Sequence, residues 1–221
     1  MLQDYKPLSQ LPFQIPQLIM DKLDMLFFKK GQVIFSEGST PLGAFFLKKG
    51  KVKISKTGSQ GKEQIIRIVT QREFLSHTDL FTNSRYSTSA KALEDSYLLF
   101  ISKQEFWEML REQNHLFEQL LQQISLDVKS VEGKIVDLAY KPVRGRLADA
   151  ILDLDKKFNE DTGQHYVFIT RADLASYVGT VKETVNRLLS EFRNERLIAT
   201  NGTRINLLDI NGLNRICKMY N

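Results

Sequence analysis

Within TVKETVNRLLSEF, residues 180–192, four side chains carry directional hydrogen-bonding chemistry: Lys182, Glu183, Asn186 and Arg187. A guanidinium is a planar fork of donors, a carboxylate only accepts, and an amide does both, so the set can read a pattern of polar groups. On a helix Glu183 and Arg187 lie one turn apart, as do Lys182 and Asn186, and the opposite face is apolar: Val181, Val185, Leu188, Leu189 and Phe192. Such a polar face meets either water or a partner, and the surrounding elements decide which. Bond-making chemistry has no comparable set. His77, His115 and His165 are dispersed, no metal-ligand spacing occurs, and Cys217 is the single thiol. No nucleophile with its base, metal centre, iron–sulfur cluster or internal disulfide is therefore expected, and the chain reads as a non-enzyme.

The residues before and after this face must hold it. In ITRADLASYVGTVKETVNRLL, residues 171–178 predict a short helix, Gly179 a tight turn, and Thr180 the cap of a second helix, with Glu183 three residues on as in a capping box. This is a helix-turn-helix: Leu174, Val178, Val185 and Leu188 can close its core, and small Ala175 lets the helices cross closely. LIAT, an Asn-Gly turn and TRINLL then predict a hairpin, the wing. A second helix held this way presents its N-terminal half to the DNA major groove. Glu183 would accept from cytosine N4, and Arg187 would donate to guanine O6 and N7. Lys182 and Asn186 sit on the same face, and Thr170 and Thr184 are candidates for phosphate contacts, which position without specifying. The alternative is a winged helix used for protein contacts without specific DNA readout.

Upstream, VRGRLADAILDLDKKF predicts an amphipathic helix, and Pro142 marks a hinge after a longer helix that begins near Gln113. In that longer helix Phe117, Leu121, Ile124, Val128, Val131, Ile135 and Leu138 follow an alternating four-three spacing, the seam of a helix packing on a copy of itself. A core helix lying on the preceding domain is the alternative. Gly133, about 1 kcal/mol worse than Ala in a helix, marks close approach or a weak point. Residues 29–102 change texture to short β-rich runs (QVIF, AFFL, VKIS, QIIRIV, SYLLFIS) broken by glycines, an antiparallel roll or barrel. QLIMDKLDMLFF predicts a lead helix before it, and residues 103–112 another helix after it.

The expected class is α+β: a β-roll sensor domain over residues 1–112, a dimerisation helix and hinge over 113–141, and a winged helix-turn-helix over 142–221. With 221 residues and 42% hydrophobic content the chain can bury two modest cores. Its net charge of +5 suits a polyanion without demanding one, since the surplus is shared between the two halves. Neither a secretory leader nor an apolar run of membrane-spanning length is visible, so the expected place of work is the cytoplasm, with no membrane partner.

The order of β-roll, long helix, hinge and ITRADLASYVGTVKETVNRLL resembles the cyclic-AMP receptor/FNR family of bacterial transcription regulators across nearly the whole chain. KETVNR is similar to that family's recognition-helix pattern of Arg, Glu, Thr, apolar, any residue, Arg, with Lys182 standing where the first Arg is usual. The resemblance implies a DNA-binding homodimer that places two helices in successive major grooves of a near-palindrome. It also implies a half-site similar to TGTGA read by Glu183 and Arg187, and RNA polymerase as a partner.

In the nucleotide-binding branch of the family, the roll carries a Gly-Glu pair and then an Arg-Ser pair. Within FLSHTDLFTNSRYSTSA those places fall to Ser76-His77 and Tyr86-Ser87, with Arg85 one residue early, and Val131 and Glu132 replace the hydroxyls that would meet adenine. The resemblance thus implies a roll without the ribose acceptor and phosphate-pairing guanidinium. The pocket these residues would form is expected to hold another small molecule or none. The family's carbon-monoxide-sensing branch holds haem through a histidine near the place of His77. Against that role, a lone His between Ser and Thr with Asp close by is expected to make ordinary hydrogen bonds, and no cofactor is assigned.

Overall fold

The computed structural model describes residues 23–75, 77–159 and 163–219. Two compact units divide the chain, one reaching Val131 apart from Thr57–Ile65, the other made of Thr57–Ile65 and the chain from Glu132 onward. The roll consists of two four-stranded sheets. Strands β1 (Asp24–Phe28), β8 (Ser96–Ser102), β3 (Gly43–Lys49) and β6 (Phe74–Leu75) form one in the order β1-β8-β3-β6. Strands β2 (Val33–Phe35), β7 (Ser89–Ala92), β4 (Val52–Thr57) and β5 (Glu63–Val69) form the other in the order β2-β7-β4-β5.

Period-two alternation along β3 builds two cores. Phe45 and Leu47 join Phe35, Val52, Leu75 and Leu98 in one cluster, whereas Ala44 and Phe46 join Phe74, Leu99, Ile101 and Phe106 in another. A sheet covered on both faces at its centre explains the unbroken apolar run LLFI within β8. Gly43 is needed for this layering: a Cβ there would sit 2.1 Å from the Ile101 carbonyl oxygen, so β3 approaches β8 only without a side chain. Gly50, at φ +111, turns β3 into β4 where a Cβ would overlap Ser96 Oγ at 2.3 Å.

The lead-helix expectation is corrected where it can be compared. Residues 16–22 lie outside the described residues, and Asp24–Phe28 is a strand, paired in register with β8 from Asp24↔Phe100 to Phe28↔Ser96. Backbone pairing and the Phe27–Tyr97 ring contact at 5.0 Å outweigh the helical spacing of its apolar residues.

Helix α1 (His77–Phe81) follows β6. Helix α2 (Lys103–Glu112) starts at a capping box in which Ser102 Oγ accepts from Glu105 N–H and the Glu105 carboxylate accepts from Ser102 N–H. Helix α3 (Asn114–Tyr140) divides its apolar residues between two stripes. Leu116 and Leu120 are fully buried in the roll's second core, whereas Phe117, Leu121, Val128, Val131, Ile135 and Leu138 remain 40–61% exposed. A Cβ at Gly133 would meet nothing within 4 Å among the described residues, so no close approach to them requires that glycine.

The second unit continues with α4 (Val143–Asn159), β9 (Tyr166–Phe168), α5 (Arg171–Val178), α6 (Lys182–Asn194), β10 (Ile198–Asn201), β11 (Arg204–Leu207) and α7 (Ile210–Lys218). Its sheet has the order β10-β11-β9. The sequence reading missed β6, β7, α1 and α7. Helix α7 packs along α4 and buries Leu213, Ile216 and Cys217. Among the described residues no helix is long and apolar enough to cross a membrane.

Candidate nucleic-acid interface

Helix α6 is amphipathic at its own period. Val185, Leu188, Leu189 and Phe192 are buried, and Lys182, Glu183, Asn186 and Arg187 stand together on the exposed face, with Thr184 half-buried beside them. The side chains of Lys182, Glu183 and Asn186 have no hydrogen-bond partner among the described residues, so their donors and acceptors face outward. Val181, expected on the apolar face, is 51% exposed because it precedes the helix as its N-cap.

The capping expectation for Thr180 is corrected by the same turn. Gly179, at φ 75, ends α5, and the N–H groups of Gly179 and Thr180 both donate to the Ala175 carbonyl at 3.0 Å. Thr180 therefore belongs to the close of α5, Val181 is extended at φ −101, and α6 starts without a side-chain cap. The hydroxyl that does cap is Thr170: its Oγ1 accepts from Asp173 N–H at 3.0 Å and fixes the start of α5. At the wing tip Asn201 is still paired with Arg204, so the two-residue turn is Gly202-Thr203 with positive φ at Gly202 alone.

Three arginines that sequence reasoning passed over hold this head together. Arg146 donates to the carbonyls of Lys141 at 2.7 Å, Val178 at 3.1 Å and Gly179 at 3.2 Å, which satisfies the C-terminal carbonyls of α5 and brings a cation to its negative end. Arg204 lies over the Tyr166 and Phe168 rings, at 4.3 and 5.5 Å to their centroids, a cation stacked on the wing. Arg144 packs on the Phe192 ring at 4.9 Å and pairs with Glu191 and Glu195, while Arg187 pairs with Glu191 from the exposed side. The Arg187 to Glu191 spacing was legible as an i, i+4 pair; the arrival of Arg144 from α4 was not.

The roll contains a cavity of about 190 Å³, whose walls include Ile54, Arg67, His77, Asp127, Ser130 and Val131. Of the expected pocket residues, the structure brings His77, Ser87 and Val131 to it. Ser76 lies outside the described residues, and Glu132 is exposed and not on the cavity wall. Tyr86 is instead buried in the roll core, stacked on Phe35 at 4.1 Å, and Arg85 turns away to donate to the Gly38 carbonyl at 2.8 Å. Strand β5 supplies the cavity's cation, Arg67, which no linear motif announced. It is already engaged, with Asp127 at 3.1 Å, the Phe74 carbonyl at 2.8 Å and Glu73 at 3.7 Å.

His77 departs from the expected ordinary hydrogen bonding. It is buried, and neither ring nitrogen has a hydrogen-bond partner among the described residues. Desolvation first, and the Arg67 charge second, push its pKa down to about 3. The unfolded chain takes up a proton near pH 6.5 that the folded chain refuses, so stability falls as pH drops below 6.5 toward 3. Replacing His77 with Phe is expected to remove about 2 kcal/mol of the loss between pH 7 and pH 5. Denaturant unfolding of both proteins at the two pH values checks this, and equal acid losses would refute it.

With the geometry in place, comparison with known proteins supplies its relatives. The cyclic nucleotide-binding domain model matches residues 25–113 and the Crp-like helix-turn-helix domain model residues 145–216. The chain is 27% identical over 216 residues to the anaerobic regulatory protein of Haemophilus influenzae, covering 93% of this chain and 84% of that one. It is 23% identical over 197 residues to a CRP-like cAMP-activated global transcriptional regulator of Mycobacterium tuberculosis, covering 88% of each. A solved transcriptional regulator of the CRP/FNR family from Thermus thermophilus superposes with a TM-score of 0.76 at 25% identity, over 90% of this chain and 100% of that chain. The two matched domains in this order, with an exposed polar helix at the second, place the chain in the cyclic-AMP receptor/FNR family of transcription regulators.

Proposed function

We propose that this regulator works as a homodimer joined along α3 and reads a near-palindromic duplex with its two α6 helices. Glu183 and Arg187 make the central base contacts, Lys182 and Asn186 flank them, and Thr170 and Thr184 lie toward the phosphates, Thr170 chiefly by holding α5 in place. The observation that carries the reading is α6 itself: four exposed polar side chains on one face, seated on four buried apolar ones. The exposed stripe of α3 supports the homodimer, since six apolar residues in heptad register otherwise stand in water. RNA polymerase is the further partner this reading carries.

The signal is read as something other than a cyclic nucleotide. Arg67 is bound to the carboxylates of Glu73 and Asp127 and to a carbonyl, and Asp79 adds a further carboxylate to the cavity wall, a poor setting for a phosphodiester. A cavity of about 190 Å³ is also below the roughly 300–1,000 Å³ of drug-sized ligand sites. The reading therefore assigns no haem, and DNA binding is assigned to the dimer without added effector.

A single experiment tests the reading: ligand-stripped protein titrated against a duplex selected from a random pool, with and without cyclic AMP, over a range of salt. Expected are a steep loss of affinity with salt, no effect of the nucleotide, and a preference over random duplex that survives at fixed salt. Arg187→Ala should relax preference at one base pair per half-site by about 1–3 kcal/mol. Unchanged preference in that variant would remove Arg187 from the readout.

A further inference from the structure

Arg187 does not stand on α6 unsupported. Its Nη1 donates to Glu191 Oε1, while the other carboxylate oxygen, Oε2, accepts from Arg144 Nη1 at 3.1 Å. Arg144 is itself fixed from several sides: Nη2 donates to both Glu195 oxygens at 2.7 Å, and the guanidinium lies on the fully buried Phe192 ring. Each oxygen of Glu191 therefore has one cationic partner, one anchored in the domain and one exposed at the reading face. The chain of contacts runs from core to surface as Phe192, Arg144, Glu191, Arg187.

From this geometry we infer that Glu191 is a positioning residue that makes the DNA readout by Arg187 selective. An unbraced arginine has many rotamers and five donors, and beside a duplex it finds a phosphate as readily as a base edge. Glu191 occupies Nη1 and fixes the side chain along the helix, so the remaining donors of the fork are pre-oriented and less conformational freedom is lost when they meet a base. The same carboxylate is a negative charge near the phosphate backbone, and it weakens sequence-independent attraction. Both effects act in one direction: Glu191 raises the ratio of specific to random binding while lowering affinity for random DNA.

The inference rests on Arg187 being a base contact, and one set of variants separates the two. Full-length protein is titrated at fixed salt against the duplex that the wild type selects from a random pool, against single-base-pair changes of it, and against a random duplex. Glu191→Ala is expected to bind random duplex about threefold more tightly and to lower the specific-to-random ratio roughly tenfold, concentrated at the base pair that Arg187→Ala also relaxes. Glu191→Gln keeps an acceptor for Arg187 but removes the charge, so it should recover preference at that base pair while random binding stays tightened. In the double variant, preference should be no lower than in Arg187→Ala alone. If Arg187→Ala relaxes no base pair, the base contact fails and the inference with it. If Arg187→Ala relaxes one and Glu191→Ala does not, the base contact stands and the brace is refuted. Equal weakening of all duplexes by both Glu191 variants, with a lowered Tm, would make Glu191 only structural and likewise overturn the inference.

Discussion

For the proposed α3 dimer, replacing Val128 and Ile135 together with aspartate is expected to give a folded monomer and to lower affinity for a palindromic duplex at least 100-fold. Both residues are more than half exposed in the single chain, at 51% and 61%, so the substitutions open no cavity and the chain's own fold is retained. In a self-packed α3 the same positions lie in the shared apolar seam, where an unpaired carboxylate loses hydration and gains no partner. Each desolvated carboxylate costs several kcal/mol, and four enter one interface, so association falls by far more than the tenfold that 1.4 kcal/mol represents. Loss of the second reading head then removes half of the contacts to the duplex. Sedimentation and duplex titration check this together; a dimer that persists at micromolar concentration would exclude the seam as the interface.

Phe192→Ala is the second large effect, and it acts through stability. The ring is fully buried under α6 and carries the Arg144 guanidinium, so its removal leaves a cavity and loosens the charged chain above it. Truncations of this kind cost about 3–5 kcal/mol, a large part of a small domain's stability. Hydrogen exchange should show amide protection falling across α4 to α7 while the strands of the roll keep theirs. Duplex binding should fall in parallel with the folded fraction, and Phe192→Leu should show a smaller version of both changes. Protection unchanged in α4 to α7 would show that the Phe192 ring is dispensable to that core.

Helix α6 was readable because its information is local. Lys182, Glu183, Asn186 and Arg187 are sorted from Val185, Leu188, Leu189 and Phe192 by the 3.6-residue period alone. Turn chemistry at Gly179 and Gly202 placed the helix-turn-helix and the wing to within a residue or two, although Thr180 yielded its capping role to the close of α5. Where two local signals competed, the reading failed: DMLFF has helical spacing and also strand-forming residues, and β8, far along the chain, resolved it as a strand.

The roll cavity shows the limit from the other side. The reading of FLSHTDLFTNSRYSTSA placed His77 and Ser87 at the pocket, but Tyr86 lies in the roll core and Arg85, one residue out of step, points to Gly38; it did not find Arg67 or Asp127. Those two come from β5 and α3, and only their meeting at 3.1 Å gives the cavity its charge pattern. The brace behind Arg187 has the same origin, because Arg144 and Glu191 are 47 positions apart.

By itself, then, the sequence determined the period-bearing parts: the α+β class, the heptad stripe of α3, the break between α3 and α4 at Pro142 and the polar face of α6. Periodicity, capping and turns depend on neighbours along the chain, and a one-dimensional string contains those neighbours. Tertiary structure decided the strand at Asp24–Phe28, the burial of His77, the engagement of Arg67 and the anchoring of Arg187 through Glu191 to Arg144. Desolvation, charge pairing and cross-strand register are set by residues distant in the chain, and they take effect only when folding brings those residues together.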